Sequence, residues 1–475
     1  MSQSFTDRAK FNALGCDDFD EFISTIQNRV PYLGRLISDH PELIATLKSR
    51  PPEDIVADII ANVMSNHGVQ IEAELMAALR ASKAEIHLLC ALCDLAKIWT
   101  WDVVTRHLSD FADGALNVAL GFASQKMGLE QISQGVFVLA LGKYGGRELN
   151  YSSDIDIIFF YDPEAVRLDE GRGIERQMIR LVQRCSRIID TLNGEGYVFR
   201  VDLRLRPDPR SNSVAISTHM AERYYEVLGQ NWERAAMIKA RVCAGDVDGG
   251  QSFIDDVLRP YIWRKNLDFA AIADISAMAR QIQSTGDRAK IKSADHNVKL
   301  GRGGIRSIEF FTQTQQLIHG GRRKELRTPR TDDALAALAV SGVITDKTRD
   351  HMHQDYAFLR DVEHRIQMME DAQDHILPAD DDLRDCIGWM MGYSDLADFD
   401  KAVKSVLSRV HTAYDALYAS NDSLALEEGS LMFTGVEPEG DTLETLNRLG
   451  FARGKDVWHE ISAWLGGRIA ATRTA

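Results

Sequence analysis

The sequence predicts an α+β protein that is mostly helical, with one small mixed β-sheet unit flanked by amino-terminal helices and a carboxy-terminal helical bundle. Three observations carry this expectation. Apolar residues at helical spacing fill both ends of the chain. Short apolar runs bounded by glycine or polar loops occur between residues 136 and 205 and read as strands. The 475 residues also exceed what one hydrophobic core usually supports, so several packed units are expected.

Each element has its own signal. In the first unit, residues 1–130, Ile55, Ile59, Ile60 and Val63 repeat at helical spacing after a Pro51-Pro52 start signal. The second unit, residues 131–265, holds strands predicted over 136–141, 155–161 and 197–205. Between the last two strands Ile174, Met178, Leu181, Val182, Cys185, Ile188, Ile189 and Leu192 form one helical stripe, with Asn193-Gly194 as its cap. The third unit, residues 266–425, carries a stripe at Tyr356, Leu359, Val362, Ile366 and Met369. A second stripe there is Val403, Val406, Leu407, Val410, Tyr414 and Leu417. Residues 426–475 read as a helical linker. No internal repeat is found, so one catalytic centre is expected.

Composition removes several function classes. Hydrophobic residues are 45% and charged residues 26% of the chain, which opposes a disordered or fibrous class. A formal net charge of -15 opposes nucleic acid as a partner, because sequence-independent binding of it needs Lys and Arg against phosphate. No apolar run reaches the roughly 18–20 residues of a membrane span, and the first residues lack a signal peptide's apolar segment; a cytoplasmic protein is expected. Only Cys90 and Cys93 of the six cysteines are close in sequence, and they fall in an apolar helix without a completing metal set. They read as core.

The chemistry concentrates in GKYGGRELNYSSDIDIIFFYD. Asp154 and Asp156 stand two apart on a strand and therefore project from one face, while Ile155, Ile157, Phe159 and Tyr161 anchor the other. Two such carboxylates suit Mg²⁺ that escorts a nucleotide. In YVFRVDLRLRP, the polar face is Arg200, Asp202, Arg204 and Arg206, and the apolar face Val201, Leu203 and Leu205. A charged face backed by an apolar one is costly without ligands. If this strand neighbours the other, Asp202 completes a carboxylate trio, and Arg204 and Arg206 are suited to phosphate. The Gly145-Gly146 turn lets backbone N–H groups approach phosphate. Asp-x-Asp alone is commonly a solvated loop and Gly-Gly alone usually a turn; together they point to nucleotide chemistry.

Gly-Gly, a short spacer, Asp-x-Asp and a later Asp on an Arg-rich strand resemble the signature of the nucleotidyltransferase superfamily. Longer phrases are similar to the glutamine synthetase adenylyltransferase family: LGKYGGRELNYSSDIDIIFFYD, VFRVDLRLRPD, YYEVLGQNWERAAMIKARVCAGD, NVKLGRGGIRSIEFFTQTQQLIHGGR and VEHRIQMMEDAQDHILP, in this order over most of residues 130–380. The resemblance implies two homologous halves in one long polypeptide, the first removing the adenylyl group and the second attaching it. One half is expected here. The phrase ending Ser152-Ser153-Asp154 resembles the removing half, since the attaching half usually has Gly-Ser there, and the ending LGGRIAATRTA resembles the junction between halves. Ser307 and Asp374 depart from the family's usual Glu and Thr.

The resemblance further implies phosphorolytic deadenylylation: phosphate attacks an adenylyl-tyrosine of glutamine synthetase and leaves tyrosine and ADP. Adenylylated glutamine synthetase is the implied substrate, the PII signalling protein the regulator, Mg²⁺ the cofactor, and phosphate and ADP/ATP the small ligands. Asp154, Asp156 and Asp202 would hold the metal, and Gly145, Gly146 and Ser153 would contact phosphates. Two rival readings are ATP-dependent adenylylation, with Asp202 as base, and a catalytically silent module sensing nucleotide or PII. Elsewhere, the basic residues from Lys299 to Arg330 face either a nucleotide or acidic partner, or solvent. His351 and His353 point to different sides of a helix and read as no metal pair, and Trp99 and Trp101 read as core.

Overall fold

The computed structural model describes residues 3–128, 134–166, 173–265, 291–418 and 440–465, with Phe433 and Pro438. Most of the ending that resembles a junction between halves lies outside them, as does most of residues 419–439.

The main helices before the sheet are α1 (Phe19–Arg29), α2 (Pro31–Asp39), α3 (Pro52–Ser65), α4 (Glu72–Leu95) and α5 (Trp101–Gln125). The Asp18 side chain accepts the Glu21 N–H at the start of α1, and proline occupies the first turn of α2 and α3. Ile55, Ile59 and Val63 are buried along α3 as their spacing predicts. The strands are β1 (Val136–Ala140), β2 (Ile155–Tyr161), β3 (Val201–Asp202), β4 (Ala215–Ser217) and β5 (Arg241–Gly245). Their order is β3-β2-β1-β5. β1 is antiparallel to β2 and β5, whereas β3 and β4 both run parallel to β2, further along the same edge. α6 (Ile174–Asp190) connects β2 to β3 and packs on α5. The bundle follows: α7 (Ile305–His319), α8 (Thr331–Val340), α9 (Asp346–Glu370), α10 (Asp381–Met390) and α11 (Leu396–Tyr418).

Two expectations need correction. The strand expected over 197–205 is only Val201–Asp202. Asp202 accepts the backbone N–H of Arg204 on its own side chain at 2.8 Å, which turns the chain out of the sheet. Leu205 consequently packs with a different apolar cluster from Val201 and Leu203. The helix before it ends at Asp190, with Thr191 as its cap, rather than at Asn193-Gly194. Arg80 from α4 donates to the Thr191 and Gly196 carbonyls there, and Asn193 instead makes a tight turn, its side chain accepting the Glu195 N–H at 2.9 Å.

The apolar core ignores the expected unit boundaries. Ile155, Ile157, Phe159 and Tyr161 share one cluster with helices α1–α6 and with Leu359, Val362, Val403 and Leu407 of the bundle. The alternate residues Ile158 and Phe160 face a second cluster with Phe137, Tyr225, Tyr261 and Trp263. Alternation along β2 thus separates two cores, and the first is continuous from the amino-terminal helices to the bundle. All six cysteines are buried thiols, and Trp99 and Trp101 are buried, as the sequence predicts. Among the described residues no helix is long and apolar enough to cross a membrane.

Candidate active site

β2 and β3 bring the acidic residues together. Their parallel register sets Asp156 opposite Asp202, so the two side chains leave adjacent strands on one face, and Asp154 stands just before β2 on that same face. The consequence is electrostatic. Burial, then the charges of Asp154 and Asp202, push the Asp156 carboxyl up to about 7, against the pull of Lys299 and Arg204. Gly142 closes the site from below. It has φ +54, and a Cβ there would lie 2.4 Å from Asp156 Oδ2, so both backbone shape and space call for glycine.

Arg204 forks onto Asp202, with Nη2 at 2.6 Å from Oδ2 and Nε at 3.1 Å from Oδ1, and about two thirds of its side chain remains exposed. Among the described residues the one group of three whose ligand atoms all lie within 4.8 Å of one another is Asp94, Asp361 and His364, so the trio is not gathered that tightly, and both oxygens of Asp202 are engaged by Arg204. The Asp94 group already holds a cation: both oxygens of Asp94 receive Arg365, at 2.6 and 2.7 Å. Asp154 and Asp156 have no such cation bound to them among the described residues. Three carboxylates brought to one face of adjacent strands are hard oxygen donors of the kind a divalent ion takes, and Asp202 would have to leave Arg204 to give both of its oxygens.

The remaining expected residues are placed differently. Gly145 and Gly146 are buried; a Cβ on Gly145 would lie 2.1 Å from the Lys239 carbonyl oxygen, and one on Gly146 3.2 Å from that of Pro329. These glycines let protein backbone approach, and Gly142 is the glycine beside the carboxylates. Ser153 is buried immediately before Asp154. Arg206 does not join the trio: its guanidinium donates to the carbonyls of Ser213, Leu203 and Pro209 and braces its own loop. The basic stretch disperses likewise. Arg323, Arg327 and Arg330 donate to backbone carbonyls, and Lys299 is the member whose charge reaches Asp156. His353 lies beside Asp332, its Nδ1 at 3.1 Å from Oδ1.

Sequence reasoning missed the ionic floor beneath this site. Lys143, next to Gly142, places Nζ 2.7 and 2.8 Å from the two oxygens of Glu363 on α9. Burial would raise the Glu363 carboxyl, but Lys143, His375 and Arg360 outweigh it and hold it well below the usual range. Glu148 is buried against Lys239 and accepts the Thr331 N–H at 2.8 Å. The charged letters of RELN and VEHR were visible, but nothing in their spacing says that they meet.

The sequence model of the Glutamate-ammonia ligase adenylyltransferase family matches residues 21–255, and that of the GlnD PII-uridylyltransferase family matches residues 276–418. A bifunctional glutamine synthetase adenylyltransferase/adenylyl-removing enzyme from Brucella suis biovar 1 (strain 1330) is 44% identical over 97% of this chain and 48% of its own length. The chain is thus similar to this adenylyltransferase/adenylyl-removing family over nearly its whole length. Relatives of the same name from Agrobacterium fabrum (strain C58) and Caulobacter vibrioides are 43% and 45% identical, over 96% and 94% of this chain and 48% and 46% of theirs. The chain therefore spans about half the length of the curated relatives it matches. Both families whose models match are named for nucleotidyl transfer, and the first match contains all three aspartates of the trio.

Proposed function

We propose that this chain removes the adenylyl group from glutamine synthetase by phosphorolysis: phosphate attacks the α-phosphorus of an adenylyl-tyrosine, the bond to the tyrosine oxygen breaks, and ADP and tyrosine are released. The observation that carries the reading is the set of Asp154, Asp156 and Asp202 on adjacent strand edges with Arg204 exposed beside them. Support for the removing direction comes from the Ser152-Ser153-Asp154 phrase. Phosphate is already an anion at neutral pH, so this direction needs positioning and charge neutralisation more than a general base.

Asp154 and Asp156 would hold Mg²⁺, and Asp202 would join them on turning from Arg204. The ion, when bound, would neutralise charge on the α-phosphate of the transferred adenylyl group. Arg204, once released, offers a planar fork to the incoming phosphate, and Lys299 adds positive charge over Asp156. Gly142 keeps the floor free of a side chain. The match to a PII-uridylyltransferase model over residues 276–418 supports the bundle as the part through which a PII protein would regulate the reaction.

The test is incubation with adenylylated glutamine synthetase, Mg²⁺ and labelled phosphate. ADP labelled at its β position is expected. AMP as the main product means hydrolysis, and attachment of AMP to unmodified glutamine synthetase from ATP, with no phosphate-dependent release, overturns the proposed direction.

A further inference from the structure

α9 carries a polar stripe that reaches the segment before β2. Arg360, His364 and Gln367 follow one another at intervals of three or four residues and therefore share one helix face, and Asp371 follows as the residue that caps the helix. All four turn to the segment that delivers Asp154. Arg360 donates to the Glu148 carbonyl at 2.7 Å and to the Asn150 side chain, and His364 Nε2 lies 3.2 Å from Asn150 Oδ1. The Ser152 N–H donates to Gln367 Oε1 at 2.9 Å, and the Ser152 hydroxyl donates to Asp371. Ser152 stands two residues before Asp154, and its carbonyl accepts Arg200 from the approach to β3.

Asp371 is held in an unusual state for this purpose. It caps α9 with φ +52, a left-handed backbone that aspartate tolerates better than most residues. From there it also pairs with Lys83 of α4 at 2.9 Å, and its carbonyl accepts the Tyr197 hydroxyl at 3.3 Å. One residue thus ties the amino-terminal helices, the approach to β3 and the segment before β2.

We propose that Gln367 and Asp371 are positioning residues, which set the spacing of Asp154 to Asp156 by fixing Ser152, so that the bundle helix is part of the metal-holding apparatus. This rests on reading the trio as the Mg²⁺ site. A helical region matched by a different family model therefore completes the carboxylate edge of the sheet.

The test uses the whole chain and reads Mg²⁺-dependent ADP binding by calorimetry, with the melting temperature measured in parallel. Gln367→Met removes the acceptor at nearly constant volume and should raise the half-saturating Mg²⁺ concentration about 10-fold, within the range seen when groups supporting a metal ligand are removed. Asp371→Ala should act similarly. Asp371→Asn keeps an acceptor and tolerates the left-handed backbone, and should return most of the Mg²⁺ response. Melting temperatures that fall while the Mg²⁺ dependence stays at the wild-type value in both Gln367→Met and Asp371→Ala overturn the proposal. If Gln367→Met does not fold, the Asp371 pair decides, and equal Mg²⁺ dependence in the Ala and Asn variants overturns it. Loss of phosphorolysis in the wild-type chain with intact Mg²⁺-dependent ADP binding would reject the proposed reaction and leave this inference standing.

Discussion

Two sets of enclosed carboxylates lie close together in this molecule and are treated in opposite ways. Glu148, Glu363 and Asp94 each sit against a cation, namely Lys239, Lys143 and Arg365. Asp154, Asp156 and Asp202 share one face of adjacent strands, with Arg204 hydrogen-bonded to Asp202 and acting on Asp156 only through its charge. Burial opposes ionisation in both sets, yet partners hold Glu363 well below the usual range while neighbours push Asp156 up to about 7. A paired carboxylate joins parts of the fold. One left among like charges costs stability and keeps its oxygens available for a ligand.

The largest effects should separate the sets most cleanly. Asp154→Asn or Asp156→Asn should lower Mg²⁺-dependent turnover by at least about 100-fold without lowering the melting temperature, because the change relieves repulsion. Glu363→Gln should do the reverse: it strands Lys143 in the core and should cost roughly 3–5 kcal/mol in denaturant unfolding. Near wild-type turnover in either aspartate variant would remove the contrast.

Next comes pH. The native Asp156 carboxyl titrates above its unfolded value, so its contribution is fully present below about pH 4 and is lost as pH rises through about 7. In a chelator, the stability advantage of Asp156→Asn over wild type should therefore grow from pH 4 to 7 and then level off. Saturating Mg²⁺ should shrink that advantage above pH 7. An advantage independent of pH in scanning fluorimetry would mean that Asp156 does not carry the repulsion.

The smallest effects concern the arginines. Arg204→Ala should raise the apparent Michaelis constant for phosphate by about 1–3 kcal/mol in binding terms, and Arg204→Lys should restore only part, lacking the fork. Arg206→Ala should lower the melting temperature by a few degrees, with the kinetics of folded protein unchanged, since its partners are loop carbonyls. A phosphate effect at Arg206 equal to that at Arg204 would put both in the site.

The sequence by itself determined what local pattern can encode. Period-two alternation places Asp154 and Asp156 opposite Ile155 and Ile157, and β2 has the predicted bounds; helical spacing marked α3, α6, α9 and α11. The phrases around the aspartates led to the family. Only the tertiary structure decided which distant residues meet. It ended β3 after two residues, because the Asp202 side chain takes the Arg204 N–H, and it turned Arg206 away from the trio. It put Gly142 rather than Gly145 beside Asp156, and brought α9 under the segment before β2, across more than 200 residues of sequence. Side-chain alternation and helical spacing repeat every few residues and can be read along the chain, whereas a buried ion pair or a hydrogen bond to a loop depends on partners that only packing brings together.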